Sequence, residues 1–329
     1  MKKINFGILG VSNHFIKRIV LPLQNCSNCQ PYAIASRENH KAEKAAADYD
    51  IPVVSESYEA LINDPEIDAV YIPLPNHMHA DWAIKAIKAG KPVLCEKPLA
   101  LNTKQTKMIL ETSKANQVPV MEAFMYQFHP LWQHVRNIIK TKQIGEVSYI
   151  QTAFSYNNAS PNNIRNISEY GGGGLMDIGC YAISVPRFLT QLEPKRVVSL
   201  MEIDDQFQTD VHASALMDFG SARASFQIST RSEPFQKVDI IGTAGSISIP
   251  IPFNTYVDTP STITIQTGQG SREVSFPVAD PYGLMFEAFS NALIHDFPMP
   301  VHGHDALNNM VVIDAIRKSA KSKKWVDIK

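Results

Sequence analysis

The sequence predicts a mixed α/β protein with a doubly wound parallel sheet first and an α+β domain, built on an open, mainly antiparallel sheet, second. Up to residue 123, short apolar strand patterns alternate with helical patterns, which is typical of a parallel sheet. After residue 145, strand patterns follow one another with few helices between them, which favours antiparallel pairing. The 329 residues suffice for about two domains, which we place at 1–123 and 124–329.

The composition excludes several classes of protein. With 44% hydrophobic and 19% charged residues and a net charge of −1, the chain offers no electrostatic reason to bind nucleic acid or a membrane surface. No apolar run is long enough to span a bilayer. The N-terminus enters a strand pattern at once, without the apolar stretch of a signal peptide, so we expect a cytoplasmic protein.

The cysteines predict no metal site. Cys26 and Cys29 form one C-x-x-C pair, and neither a second such pair nor a matching histidine pair accompanies it. Reduced thiols are the favoured interpretation of this pair and of Cys95 and Cys180, with redox or metal use of the pair as the alternative.

The first elements have the order of a dinucleotide-binding unit. The strand Ile4–Leu9 leads into Gly10, and a helical pattern follows from Ile16. The glycine fingerprint is degraded, so an ordinary turn between strand and helix is the alternative. The predicted cofactor contacts in this turn are Gly10, Ser12, Asn13 and Phe15, with Ser12 and Phe15 standing where the fingerprint has glycines.

The second strand, Tyr32–Ser36, ends in a polar group that suits a phosphate. Ser36 offers a hydroxyl and Arg37 a guanidinium, and Lys41 follows one helical turn later. An acid at this strand end is usual where NAD binds, whereas a guanidinium can make charge-assisted bonds to the 2′-phosphate of NADP. We therefore predict NADP, with NAD as the alternative cofactor and a solvated arginine as the alternative role of Arg37.

The next strands also end in polar groups at the sheet edge where ligands bind. Strand Ala69–Pro73 leads into a loop with predicted cofactor contacts at Pro73, Leu74, Asn76 and His79. Strand Val93–Cys95 ends abruptly at Glu96-Lys97-Pro98, which predicts that Glu96 and Lys97 lie at the ligand crevice; a solvated ion pair is the alternative. The other elements predicted here are helices 41–49, 57–62, 82–90 and 103–116 and strands 52–54 and 118–121.

In the second half, a run of four glycines, 171–174, precedes a predicted helix. Four glycines are costly inside a helix, so we expect a loop whose backbone approaches another group closely. Asp177 and Tyr181 then lie four residues apart on one face of a largely apolar helix, where burial would demand partners. The strands predicted around it are 147–155, 196–203, 213–219, 222–229, 237–241, 246–249, 262–267 and 273–278, with helices from 125 to 141, 285–293 and 306–320.

Taken together, these motifs closely resemble the Gfo/Idh/MocA oxidoreductase family. The resemblance rests on the glycine turn at 7–10, Asn76-x-x-His79, Glu96-Lys97-Pro98 and the segment 172–181 with Asp177 and Tyr181, in that order. It implies a Rossmann domain followed by an α+β domain whose sheet serves as substrate platform and oligomer interface. It also implies that Lys97 lies beside nicotinamide and substrate, and that Asp177 and Tyr181 bind substrate and move a proton. Tyrosine, rather than histidine, at position 181 resembles the branch with sugar 3-ketoreductases, dihydrodiol and xylose dehydrogenases and glucose–fructose oxidoreductase.

The function predicted on this basis is NADP(H)-dependent hydride transfer to or from a sugar-like hydroxyl or ketone carbon. Tyr181 would donate or accept the proton, Lys97 would assist it and Asp177 would orient the substrate. One alternative is an aldose or trans-dihydrodiol dehydrogenase that uses the same residues, and another is a dinucleotide-binding regulator without turnover. His129, Arg165 and Tyr282 are the predicted substrate contacts, and we expect a homodimer or homotetramer with no metal, nucleic acid or membrane partner.

Overall fold

The computed structural model describes residues 3–328, which form two compact units. One unit contains residues 3–128 and 280–307, and the other contains residues 129–279 and 308–328. The first compact unit thus includes a segment from late in the chain, residues 280–307, in addition to its N-terminal part. The ranges 1–123 and 124–329, which divide the chain by function, stay a prediction.

The strands alternate with helices in the first part of the chain and follow one another in the second. The strands are β1 (Ile4–Leu9), β2 (Cys29–Ala35), β3 (Val53–Val54), β4 (Ala69–Ile72), β5 (Val93–Cys95), β6 (Val120–Glu122), β7 (Val147–Asn157), β8 (Arg196–Ile203), β9 (Asp210–Asp218), β10 (Arg223–Ser229), β11 (Arg231–Gly242), β12 (Gly245–Ile249), β13 (Ser261–Thr267), β14 (Gly270–Phe276) and β15 (Val326–Asp327). The α-helices are α1 (Val20–Gln24), α2 (Asn39–Asp48), α3 (Tyr58–Asn63), α4 (Asn76–Lys88), α5 (Thr103–Asn116), α6 (Pro130–Lys140), α7 (Cys180–Thr190), α8 (Pro281–His295) and α9 (Gly303–Ser322).

The first unit is built on a six-stranded parallel sheet in the order β3-β2-β1-β4-β5-β6. The sequence order reverses between β1 and β4, which makes this the switch point where open α/β sheets bind ligands. The doubly wound parallel sheet expected from the sequence is therefore confirmed.

Local capping fixes the helix starts that the sequence predicts. The Ser57 side chain accepts a hydrogen bond from the Ala60 N–H at 3.0 Å, and α3 begins at the next residue. Asn102 does the same for Gln105 at 3.0 Å, and α5 covers the predicted range 103–116.

Helix α8 covers one face of the first sheet although it comes late in the chain. The Phe286 ring lies edge-on to Phe6 and to Tyr71, each with ring centroids 5.1 Å apart. Phe289 packs on Phe6 at 5.8 Å, and all four side chains are fully buried. These aromatic contacts place residues 280–307 in the core of the first unit.

The second unit is built on a nine-stranded sheet in the order β14-β13-β12-β11-β7-β10-β9-β8-β15. Strands β7 and β10 pair in parallel, and the other neighbouring pairs formed by the described residues are antiparallel. The expected open, mainly antiparallel sheet is confirmed, with the short strand β15 added at one edge.

The two faces of this second sheet differ in composition. Isoleucine, valine and phenylalanine side chains such as Ile150, Phe226 and Ile240 are buried on one face. The alternate positions are mostly serine, glutamine and other polar residues, interrupted by exposed apolar side chains, of which Leu200 is 75% exposed. The side chains on the exposed face of this sheet are therefore mostly polar. That face is less apolar than the isoleucine and valine content of the strands suggests.

Neither a membrane-spanning helix nor a metal-binding cluster is found among the described residues. Within residues 3–328 no helix has the length and apolar character needed to cross a bilayer. The same part of the chain contains no group of three or more histidine, cysteine or acidic side chains arranged to hold a metal ion.

Candidate active site

The glycine turn after β1 is tight. Gly10 is buried at φ +103°, its N–H donates to the Ala35 carbonyl at 2.8 Å, and a Cβ there would lie 2.9 Å from Leu74 Cδ2. The Ser12 side chain accepts a hydrogen bond from the Phe15 N–H at 3.0 Å, and so supports the first turn of the following helix. Asn13 is exposed, whereas the Phe15 side chain is fully buried in the core. Phe15 therefore has only its backbone to offer a ligand.

The end of β2 is followed by a positively charged side chain that is exposed to solvent. Arg37 is exposed, and within residues 3–328 its guanidinium makes no ion pair. Lys41, expected to assist it, instead lies 2.5 Å from an oxygen of Glu38, an acid that the sequence analysis overlooked. The half-buried Ser36 accepts a hydrogen bond from the Glu38 N–H at 3.2 Å. Arg37 thus remains the strongest anion-binding candidate at this strand end.

His79 links the loops that follow β4 and β5. It is fully buried, with Nε2 at 2.7 Å from the Leu74 carbonyl oxygen and Nδ1 at 2.9 Å from the Pro98 carbonyl oxygen. Burial lowers the pKa of the imidazole below its ordinary value, so the ring is neutral near pH 7. The neutral ring carries a single N–H and so donates to only one of these two carbonyl oxygens, while its other nitrogen lies in contact with the second. The contact of His79 with a cofactor stays a prediction. Pro73, Leu74 and Asn76 lie at the start of this linked loop and helix.

The segment 96–99 after β5 is anchored on both sides of Lys97. Glu96 accepts a hydrogen bond from the Tyr71 hydroxyl at 2.6 Å and lies 3.5 Å from His14 Nε2. Burial alone would raise the pKa of Glu96, but the neighbouring His14 imidazole, the Lys97 charge and the Tyr71 hydrogen bond together lower it, so the carboxylate is ionised. The half-buried Lys97 thus follows a fixed negative charge.

Glu122, at the end of β6, anchors the other side of this segment. One of its carboxylate oxygens accepts a hydrogen bond from the Leu99 N–H at 2.7 Å. The segment around Lys97 is therefore held by Tyr71 of β4, by Glu122 of β6 and by His79 of α4. Such anchoring allows a lysine on a loop to keep a defined position.

Tyr282 lies in the first unit, at the start of α8. Its ring is edge-on to His14, with centroids 5.5 Å apart. Asp280 caps this helix by accepting hydrogen bonds from the N–H groups of Tyr282, at 2.9 Å, and Gly283, at 3.3 Å. The role of Tyr282 as a substrate contact stays a prediction.

In the second unit, Asp177 is the centre of a polar cluster. The segment Leu175–Gly179 forms one wide helical turn that continues into α7. Oδ2 of Asp177 accepts hydrogen bonds from Arg165 Nε at 2.6 Å and from the Tyr156 hydroxyl at 2.7 Å. The Asp177 charge raises the pKa of Arg165, and burial raises the pKa of Tyr156, so both remain proton donors to this carboxylate.

Tyr181 is fixed by aromatic packing one turn after Asp177. Only 7% of Tyr181 is exposed, and its ring packs on Phe253 at 5.0 Å and on Phe154 at 6.1 Å between centroids. Phe253 stacks on Phe154 at 5.1 Å, which completes the group. The phenol ring therefore has little rotational freedom, which suits a positioned proton donor.

His129 caps helix α6. It is 1% exposed, and its Nδ1 accepts a hydrogen bond from the Leu131 N–H at 3.1 Å. Burial lowers its pKa, which keeps that nitrogen free of a proton. A substrate contact by His129 stays a prediction, since the structure assigns one ring nitrogen to the cap.

The sequence analysis missed several residues that support the site. His14, Tyr71 and Glu122 surround the segment 96–99 in the first unit, and Tyr156 joins Asp177 in the second. These residues lie far from their partners in the sequence, so no periodic pattern of side chains indicated the contacts. Only Tyr71, on the apolar strand β4, carried a hint, because a buried phenol needs a hydrogen-bond partner.

Comparisons with known proteins agree with this arrangement. A family model described as the Gfo/Idh/MocA oxidoreductase family, NAD-binding Rossmann fold, matches residues 4–124, and one described as the Gfo/Idh/MocA C-terminal domain matches residues 132–248. An uncharacterized oxidoreductase of Rhizobium meliloti, ORF334, is 36% identical over 99% of both chains. A D-xylose 1-dehydrogenase (NADP(+)) of Haloferax volcanii is 32% identical over 98% of this chain and 99% of its own.

A solved structure also resembles this chain over nearly its whole length. It is KijD10, a 3-ketoreductase from Actinomadura kijaniata in complex with NADP and TDP-benzene. The TM-score is 0.90 at 25% identity, over 97% of this chain and 98% of the other.

Proposed function

Because this chain belongs to the Gfo/Idh/MocA oxidoreductase family, we propose that it catalyses NADP(H)-dependent hydride transfer to or from a sugar-like hydroxyl or ketone carbon. The observation that carries the proposal is the helical segment 175–190. It holds an immobilised phenol, Tyr181, one turn after a carboxylate, Asp177, that is already bonded to Arg165 and Tyr156. A proton donor beside a fixed acceptor is what the interconversion of an alcohol and a ketone requires.

The residues of the first unit fit a bound dinucleotide. The buried, left-handed Gly10 leaves room for no side chain at the turn after β1, and such turns let a pyrophosphate approach the backbone. Arg37, exposed at the end of β2, would hold the 2′-phosphate of NADP with Ser36. When bound, NADP supplies the hydride, and the protein has to position the substrate and move the proton.

We assign the proton to Tyr181. In the reductive direction its hydroxyl donates a proton to the alkoxide that forms on the substrate, and in the oxidative direction it accepts one. Lys97 contributes a positive charge that stabilises the oxyanion. Asp177 accepts a hydrogen bond from a substrate hydroxyl and so orients the carbon that reacts. General acid catalysis of this kind contributes about 10²–10⁴-fold to the rate.

The substrate class follows from the relatives rather than from any single residue. One relative is named for D-xylose, and another is a 3-ketoreductase solved with a TDP compound. We therefore propose a carbohydrate, either free or nucleotide-linked. A dehydrogenase acting on an aldose or a trans-diol uses the same residues in the opposite direction and is the second candidate.

A hydride-transfer screen tests the proposal. Purified protein is assayed with NADP(H) and NAD(H) against free aldoses, keto-sugars, trans-dihydrodiols and nucleotide-linked sugars, and the nicotinamide absorbance is followed. We expect turnover with at least one carbohydrate and a lower KM for NADP(H). If the protein binds NADPH but turns over no substrate of these classes, the enzymatic proposal is wrong and the regulator interpretation is favoured.

A further inference from the structure

A buried carboxylate lies at the start of the helical segment 175–190. Asp210 is the first residue of β9 and only 6% exposed. Its Oδ2 accepts a hydrogen bond from the Leu175 N–H at 2.5 Å, and the neighbouring Gly174 N–H also favours the charged form of this carboxylate. Strand β9 thereby holds the first turn of a helix to which it is not adjacent in sequence.

This carboxylate explains one of the four glycines, Gly173. Gly173 has φ +110°, and a Cβ on it would lie 2.1 Å from Asp210 Oδ1, closer than atoms can approach. A Cβ on Gly174 would lie 3.4 Å from Asp210 Oδ2, which is ordinary contact. The group that the glycine loop approaches closely in this unit is therefore the Asp210 side chain.

The electrostatics favour an acceptor at this place. The N–H groups of a first helical turn have no partners within the helix and carry partial positive charge. Arg317 of α9 adds a favourable charge interaction with Asp210. Burial opposes ionisation and raises the pKa of Asp210, so a carboxylate here is retained at a cost. Because the burial of this carboxylate costs free energy, we expect Asp210 to have a role other than packing.

The consequence concerns Asp177 and Tyr181, two and six residues after Leu175. A hydrogen bond at Leu175 fixes the rotation and height of the turn on which Asp177 lies, and the same helix continues into Tyr181. We propose that Asp210 is a positioning residue, which holds Asp177 and Tyr181 in the geometry needed for proton transfer through its bond to the Leu175 N–H. This inference rests on the proposed function. Misplacement of a reacting group by about 1 Å costs about 10²-fold in rate.

The experiment combines hydrogen exchange with kinetics in five variants of the full-length protein. Asp210→Asn keeps an acceptor oxygen and removes the charge, whereas Asp210→Ala removes both. Gly173→Ala leaves Asp210 unchanged but pushes the loop away from it, and Gly174→Ala is the milder partner substitution. Asp218→Asn is the control, because Asp218 ends the same strand and pairs with Arg196 and Arg223 instead.

The positioning role predicts a graded result. Exchange of the Leu175 amide should accelerate in Asp210→Ala and Gly173→Ala but not in Asp210→Asn or Asp218→Asn. In the same two variants kcat should fall by about 10- to 100-fold, with the KM for cofactor unchanged and folding intact by circular dichroism. Asp210→Asn should restore most of kcat, and Gly174→Ala should stay near wild type.

Three outcomes would overturn the inference. Leu175 exchange that is unchanged in Asp210→Ala would show that the carboxylate does not anchor the helix. Faster exchange with unchanged kcat would make Asp210 structural only. If Asp210→Ala is unfolded, equal kcat in Gly173→Ala and Gly174→Ala decides against the role. If the wild-type protein has no hydride-transfer activity, the proposed function fails, and the exchange data still decide whether Asp210 anchors the helix.

Discussion

Arg165 Nε donates a hydrogen bond to Asp177 Oδ2 at 2.6 Å, and this bond fixes the direction of the carboxylate. Arg165 lies on a short helical turn, Ile164–Asn166, before the glycine loop, and Gly172 and Gly173 pack on its carbonyl group. The glycine loop before the helical segment 175–190 therefore also fixes the position of Arg165. Arg165 therefore holds Asp177, while its contact with substrate stays a prediction, and the first prediction below concerns the bond to Asp177.

Arg165→Ala should lower kcat/KM by about 10-fold. A hydrogen bond to a charged group contributes about 1.5–3 kcal/mol, and we expect the lower end because 37% of the Arg165 side chain is exposed. Steady-state kinetics on the best substrate measures the loss. Arg196→Ala, which removes an ion pair with Asp218 away from the cluster, is the control and should keep kcat/KM. Equal effects of the two substitutions would contradict a role for the Arg165–Asp177 bond.

Tyr181→Phe should fold normally, bind NADPH normally and lose about 10²–10⁴-fold in kcat. The substitution keeps the ring that packs on Phe253 and removes only the hydroxyl. Lys97→Ala should show a similar loss, and the double variant should be little worse than either, as expected for groups that act as a unit. Tyr149→Phe, which deletes a hydroxyl bonded to Ser225, is the matched control. Near wild-type turnover in Tyr181→Phe, or losses that multiply in the double variant, would refute the joint role.

Arg37→Ala should weaken NADPH binding by about 10-fold or more and leave NADH binding nearly unchanged. The reason is the loss of a charge-assisted contact to the 2′-phosphate, worth about 1.5–3 kcal/mol. Lys41→Ala should have a smaller effect because Lys41 is already paired with Glu38. Titration of cofactor fluorescence gives both dissociation constants. Lys44→Ala, which breaks an exposed pair with Asp48 on the same helix, is the control. Equal weakening of both cofactors would exclude a 2′-phosphate role.

The stability of the protein should fall as the pH drops below about 6.5, and His79 should contribute to the fall. Burial lowers its folded-state pKa below the ordinary value of 6.5, so the unfolded chain binds a proton that the folded chain does not. Stability is therefore lost on acidification through this range. Burial lowers the pKa values of His77 and His129 in the same direction. Denaturant unfolding at several pH values measures the slope.

His79→Gln should reduce that slope between about pH 7 and pH 5. The contribution of Glu96 to stability can be separated from that of His79, because it is lost in a different pH range. Its pKa is lowered from 4.5, so the stability it provides is present above that value and is lost only at lower pH. An identical slope in His79→Gln and wild type would contradict the assignment.

The protein should be a dimer or tetramer at micromolar concentration. Alternate side chains along the strands of the second sheet are exposed, and among them is the apolar Leu200, which is 75% exposed. Light scattering gives the mass. Leu200→Glu should shift the protein toward monomer, and Leu21→Glu, at a 57% exposed position of α1, should leave the mass unchanged. A monomeric mass for the wild type would refute the prediction.

The sequence predicts those parts of the fold that local chemistry decides. Capping side chains such as Ser57 and Asn102 act within three residues, so their helices begin where expected. Strand β5 ends before Glu96 because a strand buried on both faces excludes charges. The start of β11 was predicted too late, at residue 237 instead of 231. The irregular register around Pro234, which has no N–H to pair, interrupts the pattern there.

Long-range partners escaped prediction for a physical reason. Asp210 and Leu175 are separated by 35 residues, and Tyr156 and Asp177 by 21, so no periodicity connects them. The four glycines indicated that the loop approaches another group, yet the identity of that group depends on strand pairing. Glu38, by contrast, lay beside Arg37 in the sequence and could have been weighed as a competitor for Lys41.

The late position of helix α8 in the sequence also has a consequence for the synthesis of this protein on the ribosome. The parallel sheet is complete in sequence at β6, which ends at residue 122, but Phe286 and Phe289 emerge only after residue 280. At about 5–20 residues per second, synthesis separates the two events by about 8–30 s. During that interval the faces of Phe6 and Tyr71 that α8 later covers have no partner. The N-terminal unit is therefore among the last parts of the chain to be completed, although its first strand is synthesised first.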